Sequence, residues 1–143
     1  MGSSRHGAGA PPDLAGVAVL LVEDDAIIAA ALVMEMRDWG LDVTRVSGVG
    51  ELRACLAGRE SPFDLIVSDY RLGDGSGFEA IEAVREKWPT PAILMTGDTA
   101  PEVLRQADRD GIRLLHKPLA GSDLKRAIAG LLEPGSRGPV SAD

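Results

Sequence analysis

The sequence predicts an α/β fold in which helices cover both faces of a five-stranded parallel sheet. Three observations support this prediction. Short apolar runs that suit buried strands alternate five times with stretches of helical periodicity. Enough residues separate successive strands for the helical crossovers that parallel pairing requires. The chain has 143 residues, 45% of them hydrophobic, which suits one domain with a substantial core.

Two strand–helix units are predicted in the first half of the chain. Residues 17–22 form an uninterrupted apolar run that suits a strand buried on both faces. Asp25 is predicted to cap the helix at 25–39, which should bury Ile28, Leu32, Met36 and Trp39. Residues 41–46 alternate apolar and polar, as an edge strand does, and Ser47 is predicted to cap the second helix.

Three more units are predicted in the second half. The predicted strands are 64–69, 92–96 and 112–116, and the predicted helices are 78–88, 101–110 and a last one capped by Ser122. The first, third and fourth strands are the least interrupted by polar residues, so they should be central. The second strand should lie at an edge. We therefore predict a doubly wound (βα)5 three-layer sandwich with strand order 2-1-3-4-5.

Composition and the chain ends limit the possible functions. Residues 1–15 are predicted to form a disordered leader and residues 134–143 a disordered tail around one domain at 16–133. The net charge of −7 argues against non-specific binding to nucleic acid or to an anionic membrane. No apolar run approaches the ~18 residues of a membrane span. Cys55 is the only cysteine, so an internal disulfide is impossible, and the cytoplasm is the expected location.

The chemistry-bearing side chains gather where the predicted strands end. The first strand is followed by Glu23 and Asp24, and the third ends at Asp69. The fourth strand ends at Thr96, and Lys117 follows the fifth. Ligands of doubly wound sheets bind at the carboxyl ends of the strands, beside the switch in strand order. We therefore expect these five residues to converge there.

Three carboxylates in one place require a cation. Two like charges ~4 Å apart repel by about 4 kcal/mol at an effective dielectric constant of ~20. An all-oxygen site without His or Cys suits a hard cation, Mg²⁺ or Mn²⁺. Lys117 and Thr96 offer a positive charge and a hydroxyl donor, which recognise phosphoryl oxygens. A carboxylate can itself act as the nucleophile and form an aspartyl-phosphate.

Four motifs in this order on successive strands, VEDD, SDYRLGDGSG, MTGD and HKP, resemble the receiver domain of two-component response regulators. The resemblance covers residues 17–132 and implies a flavodoxin-like fold. It implies that Asp69 accepts a phosphoryl group from the phosphohistidine of a sensor histidine kinase or histidine phosphotransfer protein. It also implies that Lys117 pairs with the acceptor and then with the phosphoryl group, and that Thr96 moves to bond a phosphoryl oxygen.

The resemblance also implies a metal ligand set and two interaction surfaces. Mg²⁺ would be bound by Asp24 and Asp69, by Glu23 mostly through water, and by the backbone carbonyl of Arg71. The first helix would serve the phosphoryl donor. The fourth helix, fifth strand and fifth helix would contact a downstream protein. Receiver dimers are common, and nothing in this sequence specifies one.

The sequence departs from the usual receiver pattern near the switch. Leu114 stands where many receivers carry an aromatic residue that rotates inward with the threonine. Arg71 and Asp98 lie two residues after Asp69 and Thr96, and we hypothesise that they pair across the site and slow dephosphorylation. The loop motifs look most like receivers of hybrid sensor histidine kinases. A stand-alone response regulator is an equally open interpretation.

Two alternatives belong to other classes of protein. A small Mg²⁺-dependent phosphatase or phosphotransferase with an Asp nucleophile needs a second acid two residues after it, and that position is Arg71. An interaction domain that no longer accepts phosphate would not need all five site residues. We therefore predict a signalling switch that catalyses its own phosphorylation and dephosphorylation and is not a turnover enzyme.

Overall fold

The computed structural model describes residues 14–133, and in them five parallel strands form one sheet. These strands are β1 (Ala18–Val22), β2 (Asp42–Val46), β3 (Leu65–Asp69), β6 (Ala92–Thr96) and β7 (Arg113–His116). Two short strands, β4 (Arg71–Leu72) and β5 (Gly75–Ser76), pair as an antiparallel hairpin. The main sheet has the order β2-β1-β3-β6-β7, which is the predicted order 2-1-3-4-5 of its five strands.

Five helices cover the sheet within the described residues. They are α1 (Ala26–Asp38), α2 (Val49–Ala57), α3 (Gly77–Arg85), α4 (Pro101–Arg109) and α5 (Gly121–Leu132). One core cluster joins one face of the sheet to α1 and α5, and the other joins the opposite face to α2, α3 and α4. The predicted three-layer sandwich is therefore confirmed.

The three central strands are the apolar runs that the sequence placed there. Strands β3 and β6 are buried along their whole length, and β1 is buried except at Ala18. The register pairs Val22 with Ser68 and Asp69 with Met95, so the carboxyl ends of β1, β3 and β6 lie at one edge of the sheet. Side chains that follow these strands therefore meet, which is the geometric basis of the site.

Helix capping differs from the prediction at two of three positions. Asp25 caps α1 as predicted, because its Oδ1 accepts hydrogen bonds from the backbone N–H groups of Ile27 and Ile28. The N-cap of α2 is Gly48 and not Ser47, whose hydroxyl instead donates to Glu51 Oε1 at 2.7 Å. The last helix begins at Gly121, so Ser122 lies inside its first turn and is not the cap.

The buried face of α1 is also rotated from the predicted one. Ile28 is 40% exposed, whereas the neighbouring Ala29 is buried together with Met36. The small side chain of Ala29 lets the helix approach the sheet, and the bulkier isoleucines turn outward. Helix α3 ends at Arg85, before the predicted end at residue 88, and the residues up to Pro89 form a turn.

The chain ends and the membrane expectation are only partly covered by the described residues. The predicted leader and tail lie outside them, except for Leu14 and Ala15. Leu14 is buried against the α1–α5 core cluster, so the packed chain extends slightly before residue 16. Between residues 14 and 133, no helix has the length and apolar character that crossing a bilayer requires.

Candidate functional site

Strand β1 delivers two acids to the edge of the sheet. Glu23 follows β1 directly and is 1% exposed, whereas the next residue, Asp24, is exposed. The Glu23 backbone is held on both sides: its N–H donates to the carbonyl of Val46, and its carbonyl accepts two bonds from the Arg45 guanidinium, at 3.0 and 2.7 Å. The neighbouring edge strand therefore fixes the direction in which the Glu23 side chain points.

Strand β3 ends in a carboxylate that already has a cationic partner. Asp69 is buried, and its Oδ1 lies 2.9 Å from the Nζ atom of Lys117. Lys117 follows β7 and is held by its backbone N–H, which donates to the carbonyl of Thr96. The peptide bond between Lys117 and Pro118 is cis. An ion pair at the end of parallel strands thus joins residues that are far apart along the chain.

Three carboxylates form a cluster around this pair. Glu23, Asp24 and Asp69 each offer an oxygen atom, and these oxygens lie within 4.8 Å of one another. Burial raises the pKa of Glu23, and the negative charge of Asp69 raises it further, while a hydrogen bond from Asp25 opposes the shift. Lys117 supplies one positive charge for three acids, which leaves the cluster with excess negative charge.

The cluster has the donor chemistry of a magnesium site. Glu23 Oε1 is buried and has no hydrogen-bond partner among the described residues, although the other oxygen accepts a bond from the Asp25 N–H. A buried carboxylate oxygen without a partner is costly unless a cation or an ordered water approaches it. Hard oxygen donors and excess negative charge are what Mg²⁺ prefers. The residues present therefore fit the metal.

Thr96 and Asp98 form a second set of contacts beside Asp69. Thr96 is buried at the end of β6, and its hydroxyl oxygen accepts a bond from the Asp98 N–H at 2.9 Å. Asp98 Oδ2 lies 3.2 Å from a guanidinium nitrogen of Arg71, as the sequence predicted. The Arg71 side chain is 78% exposed, so this ion pair lies at the rim of the site and is screened by solvent.

An open cavity connects these groups with the solvent. It has a volume of about 440 Å³. Its lining consists of Asp69, Tyr70, Arg71, Thr96, Gly97, Asp98 and Lys117. The acceptor carboxylate, the lysine and the threonine therefore face a space that admits a phosphoryl group from outside.

Close packing holds the Asp69 backbone against α3. A Cβ atom at Gly77 would collide with the carbonyl oxygen of Asp69 and with the side chain of Leu94. The Gly77 N–H also donates to the carbonyl of Tyr70. Gly77 therefore lets the first turn of α3 approach the end of β3, a requirement for close backbone contact that the sequence indicated only as a glycine-rich loop.

Leu114 lies in the core and not in the cavity lining. It is half-buried and packs against the cluster shared by α2, α3 and α4. A leucine there has no ring or hydroxyl that could follow Thr96, which agrees with the departure noted in the sequence. Its role in switching remains a prediction.

Two residues beside the site were not predicted. Arg45 holds the Glu23 carbonyl, and Asp74 in the hairpin turn accepts bonds from two backbone N–H groups of α2. Neither residue belongs to a motif. Both contacts join residues more than 20 positions apart, so the local sequence contains no signal for them.

Comparison with known proteins identifies the family. Residues 19–129 match the response regulator receiver domain model. The chain is 32% identical over 115 residues to response regulator protein PilR of Pseudomonas aeruginosa, covering 77% of this chain and 25% of PilR. It is 32% identical over 130 residues to the photosynthetic apparatus regulatory protein RegA of Rhodobacter capsulatus, covering 87% of this chain and 70% of RegA.

Solved structures agree with the sequence match. The chemotaxis protein CheY4 of Vibrio cholerae superposes with a TM-score of 0.71 at 28% identity, over 80% of this chain and 97% of CheY4. The chain spans much less than two thirds of the length of several curated relatives, as the comparison with PilR illustrates. The acid cluster with its lysine lies where strand order switches in this fold, and the sequence match covers every residue of that cluster. The chain belongs to the response regulator receiver domains, which accept phosphoryl groups in two-component signalling.

Proposed function

We propose that Asp69 is the residue that accepts the phosphoryl group, from a phosphohistidine of a sensor histidine kinase or a histidine phosphotransfer protein. The observation that carries this proposal is the 2.9 Å contact between Lys117 Nζ and Asp69 Oδ1 within the acid cluster. Asp69 also lines the open cavity, so a donor can approach it from outside. An Asp69 oxygen forms the bond to phosphorus while the phosphorus–nitrogen bond of the donor breaks, and the electron pair leaves with the imidazole.

The acid cluster is proposed to hold Mg²⁺ or Mn²⁺. Asp24 and Asp69 would bind the ion directly, Glu23 mostly through water, and the Arg71 backbone carbonyl would complete the protein ligands. The unpartnered Glu23 Oε1 and the three converging oxygens support this set. When bound, the ion neutralises charge on the cluster and on the transferred phosphoryl oxygens.

Lys117 and Thr96 act on the phosphoryl group from the other side of the acceptor. Lys117 keeps Asp69 paired before the reaction and then neutralises a phosphoryl oxygen. The Thr96 hydroxyl is held by the Asp98 N–H, and its rotation toward the phosphoryl group would release that N–H. Because Asp98 begins the loop that leads into α4, this movement would change the surface formed by α4, β7 and α5.

Arg71 and Asp98 are proposed to prolong the lifetime of the phosphorylated state. Their ion pair spans the rim of the cavity, where it stands in the path of an attacking water. Arg71 is largely exposed, so we expect a modest effect, with dephosphorylation about two- to fivefold faster in Arg71→Ala. An unchanged rate would refute this role.

The phosphoryl donor is proposed to dock on α1. Ile27 and Met34 are seven residues apart, so they lie on one face of the helix, and they are 83% and 70% exposed. Ile28 adds a further apolar surface at 40% exposure. Apolar side chains exposed side by side on one helix indicate a protein contact. The output face and a homodimer have no such marker in the described residues.

The cellular setting follows from the partners. A chain that receives phosphate from a histidine kinase works in the cytoplasm, where its chemistry is limited to its own phosphorylation and dephosphorylation. It is either a stand-alone response regulator or the receiver part of a hybrid sensor histidine kinase, and both remain open. Match to the receiver family gives no support to the alternative of a Mg²⁺-dependent phosphatase.

A small acyl phosphate tests the assignment of Asp69 without a kinase. We expect wild-type protein with Mg²⁺ and acetyl phosphate to gain one acid-stable, base-labile phosphoryl group per chain. Asp69→Asn should gain none, whereas Asp64→Asn, which changes an exposed acid at the opposite end of β3, should react as the wild type does. A phosphoryl group that persists in Asp69→Asn would refute the assignment.

A further inference from the structure

The hairpin that follows the acceptor is tied to the beginning of α2 by one side chain. Asp74 lies in the turn between β4 and β5, and its two carboxylate oxygens accept bonds from the N–H groups of Val49 and Gly50, each at 2.9 Å. These amides belong to the first turn of α2, where backbone donors have no partner within the helix. The helix's own N-cap, Gly48, has no side chain to bond them.

Glycines make this contact close. A Cβ atom at Gly48 would lie 2.5 Å from Asp74 Oδ1, although the extended φ of −173° suits any residue. A Cβ at Gly75 would lie 3.0 Å from Cγ2 of Val49 and 2.5 Å from Glu79 Oε1. The hairpin turn and the start of α2 therefore fit together only because two residues on the contact lack side chains.

The same hairpin borders the acid cluster on its other side. Gly73 lies close to Asp24, since a Cβ atom there would be 3.7 Å from Asp24 Oδ2. Arg71, in the first strand of the hairpin, lines the cavity beside Asp69. Only two residue pairs form the β4–β5 ladder, and a ladder this short is not stable by itself. Contacts from outside the hairpin must therefore hold its position.

We propose that Asp74 is a positioning residue for the metal and phosphoryl site, acting through the hairpin that it fastens to α2. The proposal rests on the proposed function of the acid cluster. Asp74 touches neither the acceptor nor the cluster. It restricts the hairpin so that the Arg71 backbone and the Gly73–Asp24 contact keep one arrangement while the site is loaded.

The tie must work in both directions. If the Asp74 bonds favour the arrangement that binds Mg²⁺, then bound Mg²⁺ must favour the Asp74 bonds by the same factor. The amides of Val49 and Gly50 report on those bonds directly, because each donates to one Asp74 oxygen. Their hydrogen exchange therefore measures the coupling without any phosphorylation.

The first test compares Mg²⁺ affinity among variants. Asp74→Ala removes both acceptors, and Gly48→Ala displaces the carboxylate while leaving Asp74 in place. We expect Mg²⁺ to bind about tenfold more weakly to each, as is typical when an outer partner of a metal site is lost. Asp74→Asn, which keeps one acceptor oxygen, should fall between them and the wild type. Calorimetric titration with Mg²⁺ alone gives these affinities.

Glu51→Ala is the matched control. Glu51 lies on the same helix and accepts bonds from the Ser47 N–H and hydroxyl, so its loss weakens the same helix end without freeing the hairpin. We expect its Mg²⁺ affinity to stay within about twofold of wild type. If Glu51→Ala weakens binding as much as Asp74→Ala does, a general loss of helix stability explains both results and the proposal fails.

The second test measures exchange of the Val49 and Gly50 amides with and without Mg²⁺. We expect saturating Mg²⁺ to slow their exchange about tenfold in the wild type, and not in Asp74→Ala. Unchanged exchange in the wild type, or unchanged affinity in Asp74→Ala, overturns the proposal. A wild type that binds Mg²⁺ with this coupling but takes no phosphoryl group from acetyl phosphate would instead refute the proposed function and leave the role of Asp74 standing.

Discussion

At the scale of single residues, the pair formed by Lys117 and Asp69 contributes most to the proposed chemistry. The lysine Nζ atom lies 2.9 Å from an acceptor oxygen, and three carboxylates otherwise surround that oxygen with negative charge. Phosphorus carries anionic oxygens, so its approach to this cluster requires compensating cations. Lys117 is the one cation that the described residues place in contact with Asp69.

Removing that cation should slow phosphorylation. A hydrogen bond between charged groups contributes about 1.5–3 kcal/mol, so we expect Lys117→Ala to react with acetyl phosphate about 10- to 100-fold more slowly at saturating Mg²⁺. The comparison variant is Lys125→Ala, which removes a lysine from α5 and should react at the wild-type rate. Equal rates in all three proteins would contradict the role of Lys117.

Glu23 shows a conflict between stability and function. Its carboxylate is buried, its Oε1 atom is unpartnered, and burial raises its pKa. We expect Glu23→Gln to raise the free energy of unfolding of metal-free protein by about 1 kcal/mol at neutral pH, because it removes one of three crowded charges. Urea denaturation measures this change.

The same substitution should weaken Mg²⁺ binding, since a neutral amide replaces an acid of the cluster. Glu82→Gln, on α3 and away from the cluster, should change neither quantity. Loss of stability in Glu23→Gln, or unchanged Mg²⁺ affinity, would show that the buried acid is not held for a metal.

At the scale of elements, acids from two different segments hold the start of α2. Hydrogen bonds from the Ser47 hydroxyl and N–H lower the pKa of Glu51 from its ordinary value of 4.5. Bonds from the N–H groups of Gly50 and Val49 lower the pKa of Asp74 from 3.8. A lowered pKa in the folded chain means that the unfolded chain binds protons more readily, so these bonds stabilise the fold above the ordinary values and are lost as the pH falls through the lowered ones.

Replacing both acids should therefore flatten part of the acid limb of the stability curve. We expect the double variant Glu51→Gln and Asp74→Asn to unfold at lower urea concentration than wild type at about pH 7, and the difference to shrink toward about pH 2.5. The comparison is a urea midpoint at each pH. A difference that persists unchanged at low pH would mean that charge at these positions does not cap the helix.

The junction between β3 and α3 depends on one glycine. A methyl group at Gly77 would collide with the Asp69 carbonyl, so we expect Gly77→Ala to lower the free energy of unfolding by about 1–3 kcal/mol. Gly130→Ala is the matched change, because a Cβ there meets no atom within 4 Å and alanine favours helix by about 0.5–1 kcal/mol. Similar effects of the two substitutions on urea unfolding would contradict the close approach at Gly77.

At the scale of the whole molecule, the metal site joins β1 to β3 across the centre of the sheet. A ligand that binds only the folded chain stabilises it by about 2.7 kcal/mol at 100 times its dissociation constant. We therefore expect Mg²⁺ to raise the thermal midpoint of wild-type protein, and EDTA to reverse the rise. Asp24→Asn should lose the rise, whereas Asp64→Asn should keep it. A midpoint that does not respond to Mg²⁺ in wild type would argue against a metal site in the acid cluster.

Most of the architecture could be predicted because it depends on patterns within single segments. The apolar runs identified the central strands, and the alternating run placed β2 at an edge. Because the carboxyl ends of parallel strands coincide, the convergence of Glu23, Asp24, Asp69 and Lys117 also followed from their positions after the strands. Their chemical roles stay predictions.

What could not be predicted depends on contacts between segments. Asp74 bonds amides 24 and 25 residues earlier in the chain, and no local pattern pairs a turn acid with a distant helix end. Ser47 resembles a cap locally, but Glu51 binds it and Gly48 takes the capping position. The exposure of Ile28 depends on how closely Ala29 approaches the sheet, which periodicity alone does not determine.

A structure of the Mg²⁺–beryllofluoride complex tests the central claim most directly, because beryllofluoride mimics a phosphoryl group bound to a carboxylate. We predict beryllium on an oxygen of Asp69, with Lys117 and Thr96 contacting its fluorides and the metal held by Asp24, Asp69 and the Arg71 carbonyl. Beryllofluoride bound elsewhere, or a metal that none of these residues contacts, would contradict the proposed site.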